Sequence, residues 1–380
     1  MTESFVLNHA ARVLASVQPG HPADQVLRHY LSGGQRMGPA ERRAVSKAVF
    51  CYYRWRSWLE ERSSLQTRIS QALALAARFE ADPKSVKPEA LAALAVPAWL
   101  KAEASFPVES LLQLQREPAL WLRARPGTGA HLAAELGECE ASAACSDALR
   151  YRGGLDLFLT PQFKTGAFEI QDLASQAVGL CAAPNPGELW WDACAGEGGK
   201  TLHLADLMKN RGLVWASDRS AGRLEVLKRR AARAKLFNYR TVLWDGSAKL
   251  PVRSRFDGVL LDAPCSGVGT WQRNPHARWS ATPQDVAELA VIQAALLEAV
   301  APAVGPGGRL VYAVCTVTQR ETAGVAAAFS AAHPEFEPAA CLPPECRPAS
   351  GAVEGPGSVL LWPHALGGNG MFIAAWKKKS

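Results

Sequence analysis

Residues 189–201 read LWWDACAGEGGKT, in which an apolar run leads into a glycine-rich turn. The run 189–194 predicts a buried strand, and the residues after the turn predict a helix over 200–207. Glycines between a strand and a helix allow the backbone to approach a ligand closely. The spacing G-x-G-G-K matches neither the dinucleotide-binding G-x-G-x-x-G nor the phosphate-binding Walker loop. The turn alone is therefore compatible with a nucleotide-like ligand or with a simple tight turn.

The same alternation of strand, loop and helix continues along the C-terminal half. The predicted strands are 189–194, 213–217, 240–244, 256–261 and 309–314, and the predicted helices are 200–207, 220–235 and 284–301. Such an alternation is typical of a parallel sheet covered by helices on both faces. The fold class predicted for this half is therefore α/β.

Acidic residues stand at the ends of two predicted strands. Asp218 ends the second strand, at the distance from the glycine turn where a carboxylate can accept from both hydroxyls of a ribose. Asp245 ends the third strand and is placed to meet an adenine edge or a ribose. Either aspartate could instead cap the helix that follows it. Because ligands bind beyond the carboxyl ends of parallel strands, the turn and the two acids together favour a nucleotide-like ligand.

The cysteines divide into a large group and a distinctive pair. The chain has nine cysteines, and no two of them form a C-x-x-C pair. This pattern disfavours a zinc site and is typical of reduced thiols in a cytosolic protein. Cys265 and Cys315 follow the ends of the fourth and fifth predicted strands, beside the expected ligand. There they could act as a thiolate nucleophile and its partner, or as a redox pair.

The first part of the chain has a helical pattern and a basic character. Apolar residues at helical spacing predict three amphipathic helices within residues 1–75, and alternating residues beyond 97 predict a small α+β unit. The exposed face predicted for the third helix consists of Arg42, Arg43, Lys47, Arg54 and Arg56. With 42 Lys+Arg against 35 Asp+Glu, the 380-residue chain has a formal charge of +7, which permits a nucleic-acid partner. The composition, 48% hydrophobic and 20% charged, excludes disordered, collagen-like and coiled-coil classes.

The predicted helix after Asp218 is strongly basic. Residues 219–235 contain seven Lys or Arg and one Glu. Its apolar residues share one face, so the basic residues are expected to point outward. They include Arg229, Arg230 and Arg233, which either bind RNA phosphates or form a solvated face.

Taken together, the motifs resemble the RsmB/Sun family of S-adenosylmethionine-dependent RNA cytosine-C5 methyltransferases. The matching segments, in the family's order, are GAFEIQDLASQ (166–176), DACAGEGGKT (192–201), DAPCSG (262–267), RNP (273–275) with Trp279, CT (315–316), and LWPH (361–364) with GMF (370–372). The segments PADQVL (22–27) and ERRAV (41–45) also resemble the NusB-like domain of the RsmB branch, which acts on small-subunit ribosomal RNA. The resemblance implies a NusB-like RNA-binding domain over 1–80, a linker and RRM-like α+β subdomain over 81–158, and a Rossmann-like class I methyltransferase domain over 159–380.

The resemblance also implies a reaction. C5 of cytosine is a poor nucleophile, but a thiolate added at C6 turns it into an enamine carbon that can attack a methyl sulfonium. The family assigns the attacking thiolate to Cys315, hydrogen bonding to the base to Asp262, and assistance in product release to Cys265. The competing assignment makes Cys265 the nucleophile, as in DNA cytosine methyltransferases, and leaves Cys315 without a role.

Binding residues and partners follow from the same resemblance. The residues implied for S-adenosylmethionine are Cys194, Ala195, Gly196, Glu197, Gly198, Gly199, Lys200, Asp218, Asp245 and Asp262. The residues that the resemblance implies for RNA are Arg273, Asn274 and Trp279, and the basic helix after Asp218 adds Arg229, Arg230 and Arg233 as candidates from its charge pattern. We expect a cytoplasmic monomer that acts on RNA, without a metal and without a membrane. Alternatives are a tRNA substrate, an RNA-binding ribosome-assembly factor without catalysis, and a small-molecule methyltransferase; the last leaves the basic N-terminal region unexplained.

The sequence departs from the family pattern at a few positions. Glu197 stands where the family loop usually has proline, Val314 replaces the usual threonine before the nucleophile, and Asn369 stands where aspartate is common. The run after Cys315 is also less acidic than usual. We expect these changes to affect affinity and rate more than the type of reaction.

Overall fold

Helices form the first 118 residues of the chain. In the computed structural model, which describes residues 2–33 and 37–380, these helices are α1 (Glu3–Ala15), α2 (Ala23–Ser32), α3 (Pro39–Trp55), α4 (Leu65–Ala81), α5 (Pro88–Leu94) and α6 (Val108–Leu114). The α3 helix begins where the Gly38 amide donates to the Glu41 side chain at 2.7 Å, and it buries Val45, Val49 and Trp55 at helical spacing. The three predicted N-terminal helices are confirmed.

The chain forms two compact units. One comprises Met1–Pro118 and Thr270–Pro283, and the other comprises Ala119–Gly269 and Gln284–Ser380. Residues 270–283 therefore leave the α/β part of the chain and return to the helical unit, where Arg278 is fully buried. The boundaries predicted near residues 80 and 158 do not coincide with the division between these two units. The division into three functional domains stays a prediction.

A small antiparallel sheet opens the second unit. Its elements are β1 (Leu120–Ala124), α7 (Gly129–Leu136), β2 (Cys139–Ser142), β3 (Cys145–Tyr151), α8 (Pro161–Lys164) and β4 (Phe168–Ile170). The strand order is β2-β3-β1-β4. The strands β1 and β3 and the helix α7 lie where the alternating pattern predicted an α+β unit.

The second unit is built around one large sheet. Its elements are α9 (Leu173–Ala182), β5 (Leu189–Asp192), α10 (Gly199–Leu207), β6 (Leu213–Asp218), α11 (Ala221–Arg233), β7 (Tyr239–Leu243), β8 (Phe256–Asp262), α13 (Pro283–Val300), β9 (Val304–Val314), α14 (Val325–Ala332), β10 (Phe336–Pro338), β11 (Ala352–Gly355), β12 (Ser358–Leu361), α15 (Pro363–Leu366) and β13 (Met371–Lys378); the short α12 (Ala277–Ser280) belongs to the helical unit. The order is β11-β12-β13-β9-β8-β5-β6-β7, with β10 paired to β13.

The central five strands are parallel, as predicted. β5 pairs with β6 and β8, β6 with β7, and β8 with β9, all in parallel. β13 adds to β9 in antiparallel orientation and carries β12 and β10. This antiparallel extension was not part of the sequence prediction.

Trp190 and Trp191 show why the sequence of strand β5 is mainly apolar. Trp190 packs into the core on one face of the sheet and Trp191 into the core on the other. Successive strand residues point to opposite faces, so a strand covered on both sides needs a continuous apolar run.

The helix α13 and the turn after it are long and apolar. On length and composition alone, Pro283–Ala303 could cross a membrane, a test that core helices of soluble proteins also pass. Here Val286, Leu297 and Val300 are buried in the protein core.

Candidate active site

The carboxyl ends of the parallel strands surround one cavity of about 440 Å³. Its lining includes Asp192, Cys194, Ala195, Gly196, Glu197, Gly199, Lys200, Asp218, Arg219, Arg223, Trp244, Asp245, Asp262, Cys265, Ile292 and Cys315. The volume lies within the range usual for pockets that hold small ligands and cofactors. The structure therefore brings together nearly all the residues predicted for cofactor and catalysis, although Gly198 is buried beneath the lining.

The glycine turn needs its glycines for steric reasons. Gly196 and Gly198 have φ angles of 56° and 83°, which side chains rarely adopt. A Cβ on Gly198 would also lie 2.4 Å from Leu227 Cγ. The turn therefore requires glycine at both positions and exposes its backbone to the cavity.

Asp218 holds the turn from the neighbouring strand. Its Oδ2 accepts from the Gly196 amide at 2.9 Å, and its Oδ1 accepts from the Ser220 amide at 2.8 Å. The helix α11 is capped by Ser220, whose side chain accepts from the Arg223 amide. Asp218 is therefore not the N-cap of α11. It is an acceptor at the rim of the cavity.

Lys200 and Asp262 form an ion pair at the floor of the cavity. Lys200 Nζ lies 2.6 Å from Asp262 Oδ2, and the two side chains are 11% and 29% exposed. Burial lowers the pKa of Lys200, but the nearby Asp262 carboxylate outweighs it and the pKa is raised overall. Lys200 is therefore a fixed cation paired with Asp262, and both residues line the cavity together with Cys315.

Asp192 lies below the turn and is completely buried. Its Oδ2 accepts from Thr201 Oγ1 at 2.6 Å, which joins the end of β5 to the start of α10. Burial raises the pKa of Asp192 to about 7, and the nearby Asp262 and Asp218 carboxylates act in the same direction.

This raised pKa predicts a pH-dependent stability. An acid whose folded pKa exceeds its unfolded value stabilises the fold fully below the unfolded pKa, and that contribution is lost as the pH rises through the folded pKa. Asp192→Asn mimics the protonated form at every pH. Relative to this variant, the free energy of unfolding of the wild type should fall by roughly 3 to 4 kcal/mol between about pH 4 and pH 8. Urea unfolding at several pH values measures the difference, and a constant difference would contradict the prediction.

The two predicted cysteines are in contact. Cys265 Sγ lies 3.3 Å from Cys315 Sγ, and the two sulfurs are not joined as a disulfide. The hydrogen bond with Cys315 is the main cause of a strongly raised pKa of Cys265, and burial and the Glu321 carboxylate add to it. Cys265 therefore keeps its proton in the free protein, whichever of the two sulfurs donates in this contact. Burial also raises the pKa of Cys194, the third thiol at this cavity.

A buried carboxylate, Glu321, organises the loops that carry the two cysteines. Its two oxygens accept from the Ser266 amide at 2.8 Å and the Ser266 hydroxyl at 2.5 Å, from Thr316 and Thr318 hydroxyls at 3.2 and 2.7 Å, and from Gln293 Nε2 at 3.0 Å. Glu321 is fully buried and belongs to a π-helical turn, Arg320–Gly324. Such turns are frequent at functional sites. From the sequence, the run after Cys315 was only a departure from the family pattern, and nothing in it predicted the role of Glu321.

Removing the charge of Glu321 should loosen this arrangement. Glu321→Gln replaces an acceptor oxygen by an NH2 group that faces donors, so several hydrogen bonds are lost in a buried site. We expect a loss of roughly 3 kcal/mol in the free energy of unfolding and faster alkylation of Cys265 at a given pH. Glu337→Gln, an exposed site on β10, is the matched control and should change stability by less than about 0.5 kcal/mol. Equal effects in both variants would remove Glu321 from this role.

The structure corrects the expectation that the basic residues of α11 all point outward. Arg230 and Arg233 form ion pairs with the buried Glu169 at 3.0 and 2.5 Å, and each is 20% exposed. Arg230 also donates to the Glu197 carbonyl at 2.8 Å and so supports the glycine turn. Arg229 is exposed. The reason for the difference is Glu169 of β4, which draws two arginines onto the protein itself.

The segment 273–279, which contains the predicted RNA-binding residues, makes structural contacts within the helical unit. Trp279 Nε1 donates to the Tyr53 carbonyl at 2.6 Å, and Trp279 is half-buried in the helical unit. Arg278 is fully buried and donates to three backbone carbonyls there. Arg273 is exposed and Asn274 is half-buried, and the prediction that these two residues and Trp279 contact RNA stays a prediction.

The positions that depart from the family pattern are all accommodated. Val314 is buried in the core and pairs with Phe372. The backbone N–H of Asn369 donates to both carboxylate oxygens of Asp172 at 3.1 Å. Glu197 is exposed at the cavity edge.

Comparison with known proteins agrees with this fold and site. The chain is 36% identical over 254 residues to a probable ribosomal RNA small subunit methyltransferase B of Bacillus subtilis (strain 168), a match that covers 65% of this chain and 56% of that relative. The chain thus spans a little over half the length of this relative. Its fold is similar to the crystal structure of PH0851, with a TM-score of 0.81, 22% identity, and coverage of 100% and 99% of the two chains.

A second solved structure is similar over a shorter range. NSun6 from Pyrococcus horikoshii, determined with SFG, has a TM-score of 0.61 and 20% identity, and the match covers 72% of this chain and 94% of NSun6. These likenesses confirm the predicted Rossmann-like α/β fold class. The family of 16S rRNA methyltransferases RsmB/F matches residues 180–377, more than half of the chain. The chain therefore belongs to the 16S rRNA methyltransferase RsmB/F family.

Proposed function

We propose that this protein transfers a methyl group from S-adenosylmethionine to C5 of a cytosine in RNA, and that the RNA is small-subunit ribosomal RNA. The observation that carries the proposal is the pair of thiols, 3.3 Å apart, beside the Lys200–Asp262 ion pair in a single cavity. Family membership and the name of the Bacillus subtilis relative support the choice of substrate. A tRNA substrate remains the second candidate.

The residues of the cavity fit S-adenosylmethionine. The glycine turn offers close backbone contact, and the acids Asp218 and Asp245 line the cavity where a ribose diol and a sulfonium cation would be favoured. The similarity to a structure determined with SFG, an S-adenosylmethionine analogue, supports the same ligand. When bound, S-adenosylmethionine supplies an electrophilic methyl group.

The chain's own residues then account for the remaining steps. The Cys315 thiolate adds to C6 of the base, and the electron pair of the C5–C6 bond makes C5 nucleophilic. Asp262, held by Lys200, accepts a hydrogen bond from the N4 amino group of the base and orients the base for the addition. Once C5 carries the methyl group, loss of its proton restores the double bond and expels the Cys315 sulfur as a thiolate.

Cys265 is the proposed acceptor of the C5 proton. In the free enzyme its pKa is raised mainly by the hydrogen bond with Cys315. In the adduct the Cys315 sulfur is a neutral thioether, so this cause disappears and Cys265 can lose its proton to solvent. The resulting thiolate takes the C5 proton, and the starting pair of sulfurs is restored with one net proton released.

The role of Asp218 gives a direct test of the cofactor site. Asp218→Ala should weaken S-adenosylmethionine binding roughly ten- to hundredfold, because it removes a charge-assisted acceptor and the partner of the Gly196 amide. Asp257→Ala is the matched control, since Asp257 accepts from the Leu189 amide at 2.8 Å at the other end of β5. Calorimetry that finds equal affinity in wild type and Asp218→Ala would remove Asp218 from the site.

The function itself is tested with labelled S-adenosylmethionine and small-subunit ribosomal RNA. After digestion to nucleosides, the labelled product should be 5-methylcytidine. A label on an exocyclic nitrogen or a ribose oxygen would contradict the C5 chemistry. RNA binding without any transfer would favour the alternative of a ribosome-assembly factor without catalysis. The predictions of a cytoplasmic location and of a monomer stay predictions.

A further inference from the structure

The helical unit has a groove of its own, on α3. This α3 groove, about 530 Å³ in volume, is lined by Arg42, Arg43, Ser46, Lys47, Phe50, Arg54, Glu117 and Pro118. We propose that the α3 groove binds one nucleotide of a single-stranded stretch of RNA, with the base on Phe50 and the adjoining phosphate on Arg42 and Arg43. The proposal rests on the proposed function only in taking RNA as the substrate.

The charges at the rim favour an anion. Arg42, Arg43 and Lys47 are exposed, and the one carboxylate in the lining, Glu117, lies 2.9 Å from Lys47 Nζ. Arg42 donates through Nε to the Met37 carbonyl at 3.2 Å, which fixes its stem. Glu117 offsets one of the three rim cations, so two guanidinium groups remain for a phosphate, which they can bind with paired hydrogen bonds.

A buried cation beneath the groove adds to this attraction. Arg54, predicted from the sequence to lie on the exposed face, is only 4% exposed. Its Nη2 donates to the Gln272 carbonyl at 3.3 Å, whereas Nε has no hydrogen-bond partner among residues 2–33 and 37–380. Within those ranges no carboxylate is ion-paired with Arg54. The Glu117 carboxylate in the same lining attracts this cation, but it already pairs with Lys47, so a phosphate at the groove would further offset the cost of burying Arg54.

The floor of the groove suits a nucleobase. Phe50 is half-buried and lies in the same lining as Pro118 and the aliphatic stems of the arginines. Bases that are not paired stack on such aromatic surfaces with about 1–3 kcal/mol each. Bases in a helix are already stacked, so single-stranded RNA fits the groove better than a duplex. An acidic peptide would use the cations but would leave Phe50 without a stacking partner.

The first experiment measures binding of the full chain to a fluorescent single-stranded RNA of about 12 nucleotides over a range of salt concentrations. The test variant is Arg42→Ser with Arg43→Ser. The control is Arg62→Ser with Arg78→Ser, two exposed arginines of the same unit outside the groove. We expect the test variant to lose at least tenfold in affinity and about 0.7 from the slope of log affinity against log salt, the share of the one phosphate that the two arginines bind. An unchanged slope, or an equal loss in the control, would overturn the proposal.

The second experiment locates the base. RNA carrying 5-iodouridine is irradiated with the full chain, and the crosslinked peptide is identified by mass spectrometry. The expected crosslink is at Phe50, and Phe50→Leu should remove it. Crosslinks confined to other segments, or complete competition by polyglutamate, would overturn the RNA assignment.

The two proposals can fail separately. If the wild type forms 5-methylcytidine but the double variant binds RNA with the wild-type slope, the α3 groove is not the site and the proposed function stands. If the wild type neither binds nor methylates RNA, both proposals fall.

Discussion

Replacing Cys315 with alanine should abolish both the covalent RNA adduct and the methylated product. Cys315 Sγ lies 3.3 Å from Cys265 Sγ, and we propose Cys315 as the thiolate because the pKa of Cys265 is strongly raised. Without a thiolate to add at C6, C5 does not become nucleophilic, and the remaining groups only bind and orient the base. We expect turnover to fall by at least about 10⁴-fold, as for other removed nucleophiles. The measurement is transfer of labelled methyl groups to RNA under single-turnover conditions.

The control for this variant is another half-buried cysteine of the same unit. Cys139 lies on β2 of the small sheet and does not line the cavity. Cys139→Ala should transfer methyl groups at close to the wild-type rate. S-adenosylmethionine binding by Cys315→Ala should remain, since the cofactor contacts proposed above lie on other strands. Measurable turnover in Cys315→Ala would remove Cys315 as the nucleophile.

Replacing Cys265 with alanine should have a different effect. The variant keeps the thiolate that attacks C6 and can still transfer one methyl group. It lacks the group proposed to take the C5 proton, so the Cys315 sulfur cannot leave. We expect steady-state turnover to be lost while the covalent complex accumulates to about one per enzyme. The measurement is the amount of RNA that stays attached to protein after denaturation.

The fold and most of the cavity could be predicted because parallel sheets follow simple rules. A strand covered on both faces is apolar throughout, as Trp190 and Trp191 show. The ends of such strands meet at one edge of the sheet, so acids and cysteines far apart in sequence were expected to converge. The cavity indeed contains Asp218, Asp262 and Cys315.

Features that depend on pairing between distant polar residues could not be predicted in this way. Arg230 was expected in solvent, but Glu169, about 60 residues earlier, pairs with it in the fold. Glu321 follows Cys315 by only a few residues, yet its role arises from a π-helical turn and from contacts to another loop. Periodicity identifies which face of a helix is apolar, but it does not identify partners for a charge.

The C-terminal strands and the segment 270–283 also could not be predicted from local sequence patterns. β13 pairs antiparallel with β9, and the helix between β12 and β13, α15, has only four residues. The regular alternation of strands and long helices that revealed the parallel strands is therefore missing here. The motif that includes Trp279 was assigned to RNA from a resemblance, whereas Trp279 Nε1 donates to the Tyr53 carbonyl. Residues 270–283 lie within the α/β half of the sequence but belong to the helical unit, and no local pattern in the sequence indicates this.

The central claim is that Cys315 attacks the base and Cys265 releases the product. A denaturing gel with labelled substrate RNA tests it most directly, using the wild type, Cys315→Ala and Cys265→Ala side by side with S-adenosylmethionine present. We predict a retarded protein–RNA band that accumulates in Cys265→Ala and is absent in Cys315→Ala. A stable band in Cys315→Ala together with none in Cys265→Ala would contradict the account and make Cys265 the nucleophile.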